Sequence, residues 1–135
     1  MKISVITATW NSEATILDMV RSLSGQTLPR DNIEWILVDG ASTDQTLERI
    51  KGQDFHPDQW VSEPDKGIYD ALNKGVRMAT GDFVGFLHAD DVLASPGVLY
   101  RITCALQSSG AKALYGDLQY VKPKEGGAFG LVRHW

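Results

Sequence analysis

Cysteine, positive charge and long apolar runs are all scarce in this sequence. Cys104 is the single cysteine, so no disulfide can form within the chain. Lys and Arg number 13 against 17 Asp and Glu, and the net charge of −4 leaves no basic stripe to neutralise nucleic-acid phosphates. No apolar run approaches the roughly 18 residues of a membrane span. These shortages exclude a disulfide scaffold and argue against a protein that binds nucleic acid or spans a membrane.

We also expect no secretory leader. The first residues, Met1–Ser4, lead directly into a β-branched run, which predicts no cleaved signal peptide and a cytoplasmic location. At 135 residues, with 43% hydrophobic and 22% charged residues, the chain is large enough to bury a core of its own.

Glycine-rich loops that bind phosphate are also absent. The stretch Thr7–Glu13, TATWNSE, contains no glycine, whereas a dinucleotide-binding enzyme needs G-x-G-x-x-G after its first strand. The Gly-Lys pair followed by Ser or Thr that marks a P-loop is not found either. These absences disfavour an NAD-type oxidoreductase. They leave a nucleotide site in which a metal ion meets the diphosphate charge.

Apolar runs alternate with stretches of helical spacing along the chain. Helices are predicted between successive strands, and the predicted strands cover residues 2–9, 34–38, 60–62, 83–87 and 112–121. This alternation predicts an α/β fold, a mostly parallel open sheet with helices on both faces and right-handed crossovers. We expect residues 83–87 to be a strand buried on both faces.

Short polar signals mark the expected helix starts. Asn11 or Ser12 is expected to cap the first helix. Ser42 and Gln45 have the spacing of a capping box before the second helix. Pro96 is expected at the first position of the fourth helix.

The most informative stretch is 81–93, where an apolar run ends in two adjacent carboxylates, Asp90 and Asp91. Ligands gather outside the carboxyl ends of parallel strands. Oxygen ligands favour Mg²⁺ or Mn²⁺, which takes one or two protein carboxylates and completes its shell with water and substrate phosphates. The doublet predicts a metal site, although two acids that merely start a turn would fit the pattern equally well.

Other polar residues at strand ends extend this candidate site. Asp39 ends the second strand, where its carboxylate could accept a hydrogen bond from a base N–H. Lys66 lies in an Asp-Lys-Gly turn, from which its flexible ammonium could reach a diphosphate.

Four motifs then point to one family. The chain resembles the family 2 glycosyltransferases of the type A fold, in the branch common in bacterial polysaccharide clusters. The resemblance covers residues 2 to about 121 and is carried, in order, by TATWN, VDGASTDQT, SEPDKGIYDALNKG and FVGFLHADD. It implies a Rossmann-like domain over residues 1–121 that binds a nucleotide diphosphate sugar, most often a UDP-sugar. Residues 122–135 would begin a truncated acceptor-side region, since members of the family are much longer.

The resemblance also implies roles for particular residues. Seven residues are assigned by it and by their places near strand ends: Thr7, Ala8 and Asp39 near the base and ribose, Asn11 and Lys66 on the nucleotide, Asp90 near the ribose, and Asp91 on Mg²⁺ or Mn²⁺. His88 stands where many members carry Asp or Asn. It either hydrogen-bonds the nucleotide or fills the strand end.

The reaction implied by the resemblance is transfer of a sugar to the hydroxyl of a glycan or lipid-linked acceptor, with inversion at the sugar carbon. The metal would stabilise charge on the leaving diphosphate, and a general base would take the acceptor proton. Asp117, in a Tyr-Gly-Asp turn, is the candidate catalytic base, or else a bulge residue.

A non-catalytic nucleotide-sugar-binding module stays open as the alternative. Because no acceptor site is visible, we expect the chain to bind a donor without transferring sugar efficiently. A sheet without its remaining strands would expose an unpaired edge, so we expect either a homodimer or a fragment of a longer protein. Peripheral membrane association is a further expectation.

Overall fold

One parallel sheet organises the fold. The computed structural model describes residues 1–127 and 129–134. Four strands lie in the order β3-β2-β1-β4, and all three pairings are parallel. Each strand is followed by a helix, with these bounds: β1 Ile3–Thr9, α1 Ile16–Ser24, β2 Ile33–Asp39, α2 Thr46–Lys51, β3 Gln59–Ser62, α3 Ile68–Met78, β4 Phe83–Phe86 and α4 Val98–Ser109. The α/β fold with a mostly parallel sheet is therefore confirmed.

The chain divides into two compact units. The first, Met1–Cys104, contains the parallel sheet. The second begins at Ala105 and contains an antiparallel pair, β5 Gln119–Pro123 and β6 Phe129–His134. The division into residues 1–121 and 122–135 stays a prediction. Among the described helices, none has both the length and the apolar character to cross a bilayer.

Both faces of the parallel sheet carry a buried apolar cluster, because successive side chains of a strand point to opposite faces. On one face, β1 and β2 pack with α1, α2 and the start of α4 through Ile3, Val5, Ile16, Met19, Val20, Leu23, Trp35, Leu37, Ile50 and Leu99. On the other, Ile6, Ile36 and Val38 pack with Ala71 of α3. A side chain at Gly75 would overlap Ile6, so this glycine lets α3 lie close to β1. The strand ends are thus held by a core on each side.

A buried carboxylate ties the amino ends of the strands together. Glu34 of β2 is 4% exposed and accepts hydrogen bonds from Ser4 of β1 and from Gln59 of β3, the latter at 3.2 Å. It also accepts from the backbone N–H of Thr80 at 2.8 Å and from its hydroxyl at 2.6 Å. Burial alone would raise the pKa of Glu34. The hydrogen bonds from Ser4, Thr80 and Gln59 outweigh it and lower the pKa from 4.5 to about 2.

The prediction that residues 83–87 form a strand buried on both faces is wrong. Val84 is 40% exposed and Phe86 is 52% exposed. Both register with the β1 residues that face α3, yet α3 packs mainly on β1 and β2. Among the described strands, β4 also pairs with β1 alone, so it is an edge strand of this sheet.

The predicted helix starts are wrong in detail. Helix α1 begins at Ile16 with no side-chain cap, and the Asn11 side chain bonds the Thr43 N–H instead. Helix α2 has no capping box either. Its Thr46 N–H donates to Asp44, and the Ser42 hydroxyl donates to Asp39 instead of capping the helix.

Two further boundaries differ from the sequence-based ones. Helix α4 begins at Val98 rather than at Pro96. Residues 112–118 are not strand, and β5 pairs antiparallel with β6 instead of extending the parallel sheet. Apolar spacing predicts that a segment is extended or helical, but it does not specify which strand becomes its neighbour.

Candidate active site

The carboxyl ends of the four strands form one edge of the sheet. Thr9, Asp39 and Ser62 are Cα partners across β1, β2 and β3, and Phe86 ends β4 opposite Ile6. The predicted residues Thr7, Ala8, Asn11, Asp39, Lys66, Asp90 and Asp91 lie on these strand ends or in the loops that follow them. The structure therefore places them along the same edge.

The Thr7 side chain faces the core rather than solvent. It is fully buried, and its hydroxyl accepts a hydrogen bond from Trp35 Nε1 at 3.1 Å. The same hydroxyl lies 3.9 Å from Met19 Sδ. Ala8 is partly buried on the opposite face of β1. Any contact of Thr7 with a ligand would have to come from its backbone.

Asp39 is a buried carboxylate held by two serines. Ser42 donates to it twice, from its backbone N–H at 2.9 Å and from its hydroxyl at 2.5 Å. Ser62, at the end of β3, donates its hydroxyl at 2.6 Å. A carboxylate can accept about four hydrogen bonds, so one acceptor position on Asp39 is left after these three. Sequence reasoning missed Ser62, whose role depends on the register between β2 and β3.

The loops after β1 and β2 are joined by hydrogen bonds. Asn11 Oδ1 accepts from the Thr43 N–H at 2.8 Å, and the Asn11 N–H donates to Ser42 Oγ at 2.8 Å. Asp44 accepts from the Glu13 N–H at 3.1 Å. Burial would raise the pKa of Asp44, but hydrogen bonds from Thr46 and Glu13 outweigh it and lower that pKa.

Two lysines in and after the loop that follows β3 differ in their surroundings. Lys74 is paired with Glu63 at 3.0 Å and with Asp70 at 3.5 Å, and the bond to Glu63 is the main reason that its pKa is raised. The ammonium of Lys66 makes no ion pair or hydrogen bond with the residues that the structure describes. Its backbone N–H donates to Asp70 at 3.0 Å. Lys66 is therefore the lysine whose side chain is available to an anion.

The turn after β4 exposes the two adjacent carboxylates. The Asp91 N–H donates to the His88 carbonyl at 3.0 Å, which closes a turn from His88 to Asp91. Asp90 and Asp91 are both exposed, and neither carboxylate bonds another described residue. At the same edge, His88 Nδ1 and Thr9 Oγ1 are buried and have no hydrogen-bond partner among the described residues. Buried polar atoms without a partner are uncommon in folded proteins, and each calls for an explanation such as a bound water, a bound ion or a catalytic role.

The donor set at this turn fits a hard divalent cation. Within residues 1–127 and 129–134, no three His, Cys, Asp or Glu side chains are grouped as a complete metal site. Mg²⁺ and Mn²⁺ nevertheless need only one or two carboxylates when a phosphate supplies other oxygens. Two adjacent carboxylates that are exposed and unpaired meet that requirement.

The comparisons with known proteins decide the family. The sequence profile described as Glycosyl transferase family 2 matches residues 4–130. This chain belongs to glycosyl transferase family 2. An uncharacterized glycosyltransferase of Mycobacterium tuberculosis (strain ATCC 25618 / H37Rv), Rv1514c, is 37% identical over 108 residues. That match covers 80% of this family 2 chain and 41% of the relative, so the matched region spans less than half of the relative's length.

Solved family 2 structures share the fold. Staphylococcus aureus TarS 1-349 in complex with UDP-GlcNAc superposes with a TM-score of 0.76 at 28% identity, covering 93% of this chain and 36% of the TarS 1-349 chain. The mannosyltransferase PcManGT from Pyrobaculum calidifontis, in complex with GDP-Man and Mn²⁺, gives a TM-score of 0.70 at 30% identity, covering 78% of this chain and 32% of that one. The type A glycosyltransferase fold predicted from the motifs is confirmed.

Two residues stand apart from the predicted set. Asp117 lies in the second unit, within the irregular segment before β5, and its role as a base stays a prediction. Trp10 received no site role from the sequence, yet it follows β1 at the candidate site with its side chain 67% exposed. An exposed aromatic ring offers a stacking surface to a base or a sugar.

Proposed function

We propose that this chain binds the donor of an inverting, metal-dependent glycosyltransferase, and that the donor is a UDP-sugar. The observation that carries the proposal is the row of strand ends at which Asp39, Lys66 and the Asp90-Asp91 turn meet one edge of the sheet. A nucleotide diphosphate sugar has a base, a diphosphate and a sugar. This edge offers a group suited to each of the first two.

The base and ribose are assigned to the end of β2. Asp39 keeps one acceptor position, which suits the ring N–H of uracil. Trp10 could stack on the ring face. The complex of TarS with UDP-GlcNAc supports a uracil nucleotide as the first donor to test.

The diphosphate is assigned to Lys66 and to a metal at the turn after β4. Asp91 would hold Mg²⁺ or Mn²⁺, with Asp90 near the ribose. When bound, the metal would stabilise the negative charge that builds on the leaving diphosphate. The Lys66 ammonium would add a positive charge on the same group, because no described carboxylate neutralises it by a direct ion pair.

Transfer itself needs an acceptor hydroxyl in line with the sugar and a base that takes its proton. Asp117 is the base that we propose, and a glycan or lipid-linked hydroxyl is the proposed acceptor. A cytoplasmic location, a homodimer and contact with a membrane surface belong to the same proposal. The candidate residues for donor binding all lie in the first unit, Met1–Cys104.

Calorimetric titration with UDP tests the metal and the nucleotide together. We expect Asp91→Asn to weaken UDP binding in the presence of Mn²⁺ by more than tenfold, which is about 1.4 kcal/mol. When a chelator removes the metal, Asp91→Asn and wild type should bind UDP equally. The change keeps the shape of the side chain and removes only the charge that would hold the metal.

Asp54→Asn is the matched control, because Asp54 is an exposed carboxylate in the loop between α2 and β3, away from the strand ends. It should leave UDP binding unchanged. Equal UDP affinity for Asp91→Asn and wild type with Mn²⁺ present would refute the metal assignment. Binding of NAD in place of UDP would refute the donor class.

A further inference from the structure

The loops after β1 and β2, together with Thr46 at the start of α2, are joined by five hydrogen bonds from backbone N–H groups to side chains. Backbone N–H groups of each loop donate to side chains of the other in both directions, at 2.8 to 3.1 Å. The groups concerned are Asn11 N to Ser42 Oγ, Ser12 N to Thr46 Oγ1, Glu13 N to Asp44 Oδ2, Thr43 N to Asn11 Oδ1 and Gln45 N to Glu13 Oε2. We call this set the loop clamp. It fixes two segments that are about 30 residues apart in sequence.

Each loop has one residue other than glycine with positive φ, either in the clamp or next to it. Asn11 has a φ of 45° and Ala41 a φ of 60°, and these are the two described residues other than glycine with positive φ. Such conformations are sparsely populated and persist where the surroundings fix them. Asn tolerates this region better than most residues because its short polar side chain bonds locally. The type of residue at position 11 therefore suits both the conformation and the clamp.

The clamp leads directly to the proposed base-binding carboxylate. Asn11 holds the Thr43 N–H, and the Asn11 N–H donates to Ser42 Oγ. That same Ser42 hydroxyl donates to Asp39 at 2.5 Å. Removing the Asn11 side chain would release the loop that carries Ser42, and with it one side of the Asp39 environment.

We propose that Asn11 is a positioning residue, which acts on the nucleotide through Ser42 and Asp39 rather than by contact with it. The sequence predicted Asn11 as a nucleotide ligand. In the structure, its side-chain oxygen is already used by the Thr43 N–H at 2.8 Å, with the Asp44 N–H at 3.4 Å. The inference rests on the proposed function, because it gives Asn11 a part in UDP binding.

Two substitutions separate the roles. Asn11→Gly permits the positive φ but removes the acceptor, and Asn11→Asp keeps both the acceptor and a tolerated conformation. A positioning residue should be rescued by Asp. A residue that contacts the diphosphate should be harmed further by Asp, because the added negative charge would repel phosphate.

The first measurement is amide hydrogen exchange of Thr43 and Asp44 in the free protein. We expect Asn11→Gly to speed exchange at both amides by tenfold or more, and Asn11→Asp to stay within about twofold of wild type. Unchanged exchange in Asn11→Gly would overturn the clamp. This measurement involves no nucleotide, so it stands even if the proposed function fails.

The second measurement is UDP affinity with Mn²⁺. We expect Asn11→Gly and Ser42→Ala each to weaken binding at least fivefold. Because both act through the same contact, the double variant should bind no more weakly than the weaker of the two single variants. Asn11→Asp should bind within about twofold of wild type. An Asn11→Asp chain with protected amides but UDP binding as weak as that of Asn11→Gly would overturn the positioning role. A wild-type chain that binds no UDP would contradict the proposed function and remove Asn11 from nucleotide binding.

Discussion

The amino ends and the carboxyl ends of the strands form two opposite sides of the parallel sheet, here called the amino edge and the carboxyl edge. Both carry carboxylates, which differ in exposure and in hydrogen bonding. At the amino edge, Glu34 is buried and accepts hydrogen bonds from Ser4, Gln59 and Thr80. At the carboxyl edge, Asp91 is exposed and bonds no other described side chain. A carboxylate whose acceptor positions are filled by the protein holds the strands together. One whose positions are not filled by the protein is open to water or to a ligand.

Asp39 lies between these two states. It is as buried as Glu34 and accepts three hydrogen bonds, yet it stands at the carboxyl edge and keeps one acceptor position. The comparison therefore gives testable consequences. Changes at the amino edge should act on stability, changes at the carboxyl edge should act on binding, and Asp39 should act on both.

Replacing Glu34 by Gln should have the largest effect on stability. Gln keeps the shape but brings an amide N–H₂ toward groups that donate to Glu34, and it removes the charge. The pKa of about 2 corresponds to roughly 3 kcal/mol of stabilisation of the charged form, so we expect a loss of about 3 kcal/mol in urea unfolding. UDP affinity of the folded fraction should stay unchanged. A variant as stable as wild type would contradict the structural role of Glu34.

The same carboxylate should govern the acid limb of stability. Its folded-state pKa of about 2 lies below the 4.5 of the unfolded chain, so its contribution is complete above pH 4.5 and is lost as the pH falls toward 2. We expect unfolding free energy measured between pH 6 and pH 2.5 to fall more in wild type than in Glu34→Gln. Parallel pH profiles would show that other groups control the acid limb.

Asp39→Ala should weaken UDP binding by roughly 1.5–3 kcal/mol if its carboxylate accepts the charged hydrogen bond from the base. It should also lower stability, because Ser42 and Ser62 lose their acceptor. Calorimetry at a temperature where the variant is folded separates the two effects. Unchanged UDP affinity with lowered stability would move Asp39 into the same class as Glu34.

The smallest predicted effect concerns the two lysines near β3. Lys66→Met should weaken UDP binding by about 1 kcal/mol or less with little change in stability, since an exposed charge pair is weak. Lys74→Met should leave UDP binding unchanged and lower stability slightly, because Lys74 is paired with Glu63 and Asp70. The reverse pattern would show that Lys74, not Lys66, reaches the diphosphate.

The parallel sheet could be predicted from the sequence because its two signals, apolar runs of strand length and helical spacing between them, are both local. Residues 35–38 are apolar throughout, and β2 is buried along its whole length. It also placed Asp39, Asp90 and Asp91 at strand ends, which follows from strand length alone. What it could not predict was exposure of Phe86, because that depends on which strands α3 covers.

The polar contacts were harder to predict for the same reason. Asn11 and Ser42 look like helix caps from the sequence, since Asn and Ser are frequent at such positions. In the structure they bond across two loops about 30 residues apart in the chain. Local spacing does not show partners at that separation, and so the contributions of Ser62 and Asp44 were missed.

The register of β1 has a consequence for the order of folding. Ile3 pairs with Ile33 on one side and with Phe83 on the other, so closing the second pairing joins positions 80 residues apart rather than 30. By the logarithmic dependence of loop closure on length, the longer closure costs about 0.9 kcal/mol more. We expect β4 to dock after β1 and β2 have paired, since distant contacts form slowly. The Asp90-Asp91 turn would then form in the last step of assembly of the parallel sheet, so a nascent chain would complete the proposed metal site only when the other strands are already paired.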